Sequence, residues 1–256
     1  MNIAVVLPWR SQPGRDYAHD VSVARWRRVL PAGAVIDVDT GDEPFNRAAC
    51  RNAGVRRAAR SHADVVVIAD ADTLAEEGPL RAAVEAAAAS GLVHLPYTEY
   101  RSLNADGTAQ HRAGLPLPDC SALAVQGACS GIYVTTPATW WATGGQDERF
   151  RGWGFEDAAW ELAHTALLGA PPVRHEGRVY ALHHPPGAKE GPQYEANAAL
   201  CYRYHVAASD PDAMRALVGE REGAAPPHDG AEPVPLPSPR RTDTPDRTGP
   251  DRERHL

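Results

Sequence analysis

The chain has 256 residues, 43% of them hydrophobic, with a formal net charge of −7. That content is enough for a sizeable core in one large or two small domains. The charge excludes general nucleic-acid binding, which needs a basic surface, but leaves room for one local basic groove, since nearly all the positive charge is arginine.

In chain order, "IAVVLP" is a short apolar run ended by proline and predicts a buried strand starting at once. "MNIAVVLPWR" lacks the charged start, long apolar stretch and cleavage site of a signal peptide. No later run is long enough to span a bilayer, so a cytoplasmic protein without a membrane anchor is expected. Residues 16–29 have helical spacing at Tyr17, Val21, Ala24 and Val29. "AVIDVD" is the second strand, and "FNRAACRNAGVRRAARS" the second helix. "ADVVVIADAD" is the strongest strand, β-branched and ending in acids. "EEGPLRAAVEAAAASG" is a helix closed by Gly91, and "LVHLPY" a strand. This alternation predicts an α/β fold with a mostly parallel central sheet.

The second half is less regular. Residues 98–120 read as an irregular loop or hairpin, and "ALAVQGACSGIYVTT" as strand broken by glycines. A short helix starts at Pro137 and a longer one covers 156–168. "GRVYALHHPP" is a strand ending in two histidines, and helices cover 193–208 and 211–219. After Gly223 the composition turns to Pro, Asp, Arg and Thr, which predicts a disordered tail over 223–256 behind a single domain over 1–222. Cys50, Cys120, Cys129 and Cys201 form no CxxC pair and read as reduced thiols.

Ligands of such sheets bind at the carboxyl ends of the strands. Pro8-Trp9-Arg10, Asp39 to Asp42 and Asp70 to Asp72 therefore converge on one crevice. The carboxylates of "DAD" suit a ribose hydroxyl and a divalent metal, although Asp-x-Asp after an apolar run is also common turn chemistry. Of His183 and His184 at a strand end, alternation lets one face a shared metal. A histidine beside a carboxylate shifts a hard-cation site towards manganese; a purely structural histidine is the plain alternative. Arg10 is either a solvated loop residue or a diphosphate clamp. In "RGWGFEDAAWELA" the helix dipole accounts for Glu156 and Asp157. It leaves Trp153, between two glycines, for stacking on a sugar or base ring.

The succession "LPWR", "GDEPFNRA…NAG", "IADAD", "SGIYV", "GGQDERFRGWGFEDAAWELA" and "VYALHHP" resembles the GT-A fold glycosyltransferases, specifically the β-1,4-galactosyltransferase type and its bacterial relatives. The likeness runs over residues 3–185 and rests on the order of the motifs. It implies a donor site for a UDP-sugar that includes Pro8, Arg10, Asp42, Phe45, Arg47, Asp70 and Gly131. It implies Mn2+, or another divalent cation such as Mg2+, on Asp72 and His184. It further implies acceptor binding by Glu156 and Trp153, with Trp153 on a mobile loop, and Asp157 as catalytic base.

Two positions depart from the family. Its metal-binding methionine is replaced by Ala181, and its second glycine before the glutamate by Phe155. The acceptor therefore stays open among a small molecule, a glycan and a modified base. The reading is a metal-dependent inverting glycosyltransferase. A sugar-1-phosphate nucleotidyltransferase shares the sheet and the metal acids but wants a glycine-rich basic loop after the first strand, which "LPWRSQPGR" fits poorly. A degenerate nucleotide-sugar-binding protein would have no need of both Asp72 and Asp157.

Overall fold

The run VVVIA has no polar residue to turn towards water, and it is buried over its whole length at Val65–Ala69. The computed structural model describes residues 1–185, 187 and 189–220, so the tail expected over 223–256 lies outside the described residues. In chain order the elements are β1 (Ile3–Pro8), α1 (Asp16–Val29), β2 (Ala34–Val38), α2 (Arg47–Arg60), β3 (Val65–Ala69), β4 (Thr73–Ala75), α3 (Glu77–Ser90) and β5 (His94–Leu95). There follow β6 (Glu99–Leu103), α4 (Ala105–Arg112), β7 (Ala122–Val125), β8 (Ile132–Thr135), α5 (Pro137–Ala142), α6 (Glu156–Leu168), β9 (Val173–Arg174), β10 (Arg178–Ala181), α7 (Pro192–Ala207) and α8 (Pro211–Gly219).

The central sheet has six strands in the order β2-β1-β3-β8-β5-β9. It is mostly parallel, as expected; β8 alone runs against its neighbours. A second sheet, β4-β10-β6-β7, was not foreseen. It takes in the strand before the histidines and the stretch read as irregular, which holds β6 and α4. The signal there is weak because β6 (EYRSL) is polar and only half-buried. Helix α4 buries only Gly107.

The main core lies between the central sheet and its helices and includes Trp26, Trp140 and Trp160. Gly54 lets α2 settle on β1: a β-carbon there would come within 2.1 Å of Val6 Cγ1. Asn46 caps α2, its Oδ1 accepting from Ala49 N at 3.0 Å. A smaller cluster joins α6, α7 and α8 through Phe150, Ala163, Tyr204 and Leu217. Among the described residues no helix is long and apolar enough to cross a membrane.

Candidate active site

Because β1 pairs in parallel with both β2 and β3, Pro8, Val38 and Ala69 end at one edge of the sheet. Pro8, Arg10, Phe45, Arg47, Asp70, Asp72 and His184 line a single crevice there, joined by Trp9, Gln12 and Arg15. The lining carries three arginines in a protein of net negative charge, which suits an anionic ligand.

Register places the rest. Ala69 pairs with Ile132 of the antiparallel β8, so Asp70 N donates to Gly131 O at 2.8 Å and fixes the strand end. Gly131 has φ +89°, and a β-carbon there would come within 2.8 Å of Tyr100 Cε2. In the second sheet Ala181 pairs with Thr73, and Leu182 N donates to Asp72 O at 2.9 Å. Two residues further on, His184 Nε2 lies 2.9 Å from Asp72 Oδ2. His184 Nδ1 lies 2.8 Å from Pro185 O. A proton held there leaves Nε2 as the ligand nitrogen. The hydrogen bond to Asp72 is the main cause that raises the His184 pKa; burial opposes it. His183 is exposed.

These two donors, one oxygen and one nitrogen, fit a divalent cation that keeps other positions for water and phosphate oxygens. Ala181 adds no ligand, and among the described residues no group of three or more His, Cys, Asp or Glu gathers around one point.

Arg47 and Arg51 stand one turn apart on α2 and meet two consecutive acids at the start of α6. Arg47 Nη1 donates to Glu156 Oε1 at 2.6 Å, and Arg51 Nη1 to Asp157 Oδ1 at 2.5 Å. Asp157 Oδ1 also accepts from Tyr133 OH at 2.6 Å and Gln146 Nε2 at 3.2 Å. Among the described residues its Oδ2 has only Arg47 Nη1, 4.0 Å away. Burial works to raise the Asp157 carboxyl, but Arg51, Arg47 and the hydrogen bonds outweigh it, so the group is held below its usual range as an anion. Glu156 goes the other way: burial raises it, Arg47 opposes, and the charge of Asp157 adds to the rise. The residue before the pair, Phe155, takes φ +75°, a backbone conformation that glycine adopts without strain.

Asp42, Gly131, Trp153, Glu156 and Asp157 are not among the residues that line the crevice, and three of the residues singled out in the sequence have close partners of their own. Arg10 is held by Asp39 through Nε and Nη2 at 2.7 Å each and by Glu43 through Nη1 at 2.7 Å. It organises the loop after β2 rather than offering an open fork. Asp42 is outside the crevice lining, bonded by Thr40 Oγ1 and Arg151 Nη1 at 2.6 Å each. Trp153 is also outside the lining and is not an unpacked side chain. It stacks on Tyr194 with ring centroids 6.2 Å apart, and Lys189 Nζ stands 4.7 Å from its ring centre.

Arg15, Arg51 and Asn197 carry no motif of their own, and sequence reasoning missed them. Asn197 is 2% exposed and donates from Nδ2 to Arg151 O at 2.8 Å and Gly154 O at 3.3 Å, tying the loop to α7. The spacing of Arg51 four residues after Arg47 was the available signal.

A second depression, of about 300 Å3, lies between Tyr97, Tyr100, Gln126 and Arg174. Its one acid, Glu99, is taken by Arg101 and Arg178.

No family model and no curated protein matches the chain. Among solved structures, it is similar to the catalytic domain of Drosophila β1,4-galactosyltransferase 7 in complex with xylobiose, at 16% identity and a TM-score of 0.55, over 77% of this chain and 79% of that one. A mutant of the same enzyme with manganese, UDP-Gal and xylobiose matches at 19% identity and a TM-score of 0.47, over 68% of this chain and 64% of that one. GalNAc-T7 with UDP, GalNAc and Mn2+ matches at 10% identity and a TM-score of 0.47, over 86% and 55%. The likeness to the first of these, together with the sheet order and the crevice at the strand ends, shows that the chain has the GT-A fold.

Proposed function

We propose that the chain is a metal-dependent inverting glycosyltransferase that moves a sugar from a UDP-sugar to an acceptor hydroxyl. The observation that carries this reading is the connection between the strand-end acids and the helix-start acids. Asp72 meets His184, while Asp157 is one guanidinium away from Asp70, through Arg51. The fold shared with a galactosyltransferase catalytic domain supports it.

Asp70, Arg47 and Phe45 are assigned to the donor nucleotide, with Pro8 and Gly131 shaping the strand ends around it; Arg10 and Asp42 act through the loop they brace. Asp72 and His184 would hold Mn2+ or Mg2+, which supplies a Lewis acid for the charge that develops on the leaving diphosphate. Asp157 accepts the acceptor's proton at Oδ2, the oxygen without a hydrogen bond among the described residues. Its lowered pKa keeps it ionised, at some cost in base strength. Glu156 orients the acceptor, and Trp153, once released from Tyr194, covers the sugar. Deprotonation by Asp157 of an acceptor held on the face of the sugar away from the diphosphate would give in-line attack and inversion, as in inverting glycosidases.

The test is a panel of UDP-sugars incubated with manganese and acceptors. UDP release and a product of inverted anomeric configuration by NMR support the reading. Pyrophosphate release would place the chain with the nucleotidyltransferases.

A further inference from the structure

Of the three arginines in the crevice, two are committed to acids: Arg10 to Asp39 and Glu43, and Arg47 to Glu156. Arg15 makes no ion pair with a carboxylate among the described residues. It precedes α1, and its side chain crosses the crevice to an imidazole. Its Nη2 lies 2.5 Å from Nδ1 and 3.1 Å from Nε2 of His184.

That ring is already spoken for. Nδ1 faces Pro185 O at 2.8 Å, and Nε2 faces Asp72 Oδ2 at 2.9 Å. A neutral imidazole offers one N–H and one lone pair; an imidazolium offers two N–H and no lone pair. If both oxygens receive a proton from the ring, Arg15 has no acceptor. If Arg15 finds a lone pair, one oxygen loses its donor. Every protonation state leaves one of the three partners unmatched, so the contact is a poor permanent home for a guanidinium. It is also a positive charge set against the two groups assigned to a divalent cation, in a crevice that otherwise lacks an uncommitted anion-binding arginine.

We propose that Arg15 and the divalent cation are alternative occupants of the Asp72–His184 pair, and that Arg15 passes to the nucleotide diphosphate when the cation enters. The inference rests on the donor site proposed above. Like charges keep the two from sharing the pair. A diphosphate gives the displaced guanidinium the bidentate acceptor it lacks. Metal and nucleotide then assist each other's binding, and by linkage the assistance is equal in both directions.

The test uses the full chain and the variants Arg15→Ala and Arg15→Gln, with melting curves to confirm folding. Mn2+ alone is titrated by electron paramagnetic resonance, and UDP alone by calorimetry in the presence of a chelator. Removing Arg15 should tighten Mn2+ binding roughly fivefold or more. It should weaken metal-free UDP binding about tenfold, the loss of a charge-assisted hydrogen bond. A residue with only a structural role would weaken both. Mn2+ affinity that is unchanged or lower in the folded variants overturns the inference while leaving the donor site standing. A parent chain that binds neither Mn2+ nor UDP, separately or together, removes the donor site itself.

Discussion

Arg51 donates from Nη1 to Oδ1 of Asp157 across 2.5 Å, and Nη2 of the same guanidinium reaches Oδ1 of Asp70 at 2.6 Å. The arginine is 1% exposed and also bonds Gln146 Oε1 at 2.9 Å. One buried cation thus sets the separation of an acid at the end of β3 from an acid at the start of α6. The price of breaking such an arrangement is high, because a buried charge left alone has no water to turn to.

Asp157→Asn should lower the transfer rate ~10²–10⁴-fold, the usual cost of losing a general base. Affinity for UDP with manganese should stay within a few-fold of the parent. Arg51 loses one of its two anionic partners and keeps Asp70, so stability should also fall, by less than the roughly 3–5 kcal/mol typical of a broken buried pair, and the melting temperature with it. Glu156→Gln should instead raise the acceptor KM more than it lowers kcat. Rates with acceptor, calorimetry and thermal melts check the three effects; a variant at position 157 that keeps most of its rate would place the base elsewhere.

Asp72→Ala and His184→Ala should each abolish manganese-dependent UDP binding and leave the fold intact. Both side chains are at the ends of strands and partly exposed, 20% and 25% respectively. Calorimetry with UDP and Mn2+ tests this directly. Affinity unchanged in both variants would remove the metal from this pair.

Acid should unfold the protein through two buried histidines. Burial pushes His164 down to about 4, against a smaller opposite pull from the Trp160 backbone. Burial and the neighbouring His175 likewise take His94 to about 4. The unfolded chain takes up these protons near pH ~6.5, so their stabilising effect is complete above that value and is lost as pH falls towards 4. For His164 alone the loss amounts to roughly 3 kcal/mol. Melting temperature measured against pH should drop across this window, and His164→Phe should flatten part of the drop.

Gly54→Ala should destabilise the chain by roughly 1–3 kcal/mol, the typical cost of overpacking. The added carbon meets the stiff Val6 side chain at 2.1 Å, and α2 must lift from β1. Denaturant unfolding measures the loss. Because α2 carries Arg47 and Arg51, UDP binding should weaken in the same variant.

Apolar runs, helix periods and glycine stops identify β1, α1, α2, β3, α3 and α6 from the sequence. Each of these has strong local chemistry: IAVVLP and VVVIA bury completely or nearly so, and Gly91 and Gly169 close their helices in the left-handed region. The second sheet was illegible because β4, β6 and β10 are short and their pairing is long-range. The strand-end acids, His184 and the Glu156–Asp157 pair were visible because each sits at an element boundary. Arg51 was not, since a buried arginine in the middle of a helix looks like a solvated one until its partners arrive from residues 70, 146 and 157. The packing of Trp153 was hidden for the same reason: its partner, Tyr194, is 41 positions downstream.

Phe155 stands between two attachments. On its amino side Asn197 clamps the backbone of residues 151 to 154 to α7; on its carboxyl side Arg47 and Arg51 pin Glu156 and Asp157 to α2. A swing that brings Trp153 over the crevice while the acids stay put is therefore a torsion concentrated on very few bonds. Phe155, at φ +75°, already sits in the left-handed region that is costly for a residue with a β-carbon, whereas Gly154 takes φ +99° without that penalty. The segment is therefore tethered on both sides of Phe155, to α7 before it and to α2 after it, and is no flap on a free hinge. The Phe155 ring packs on Tyr194 at 4.9 Å between centroids, the same ring on which Trp153 stacks, so α7 holds both aromatics of the loop through one side chain.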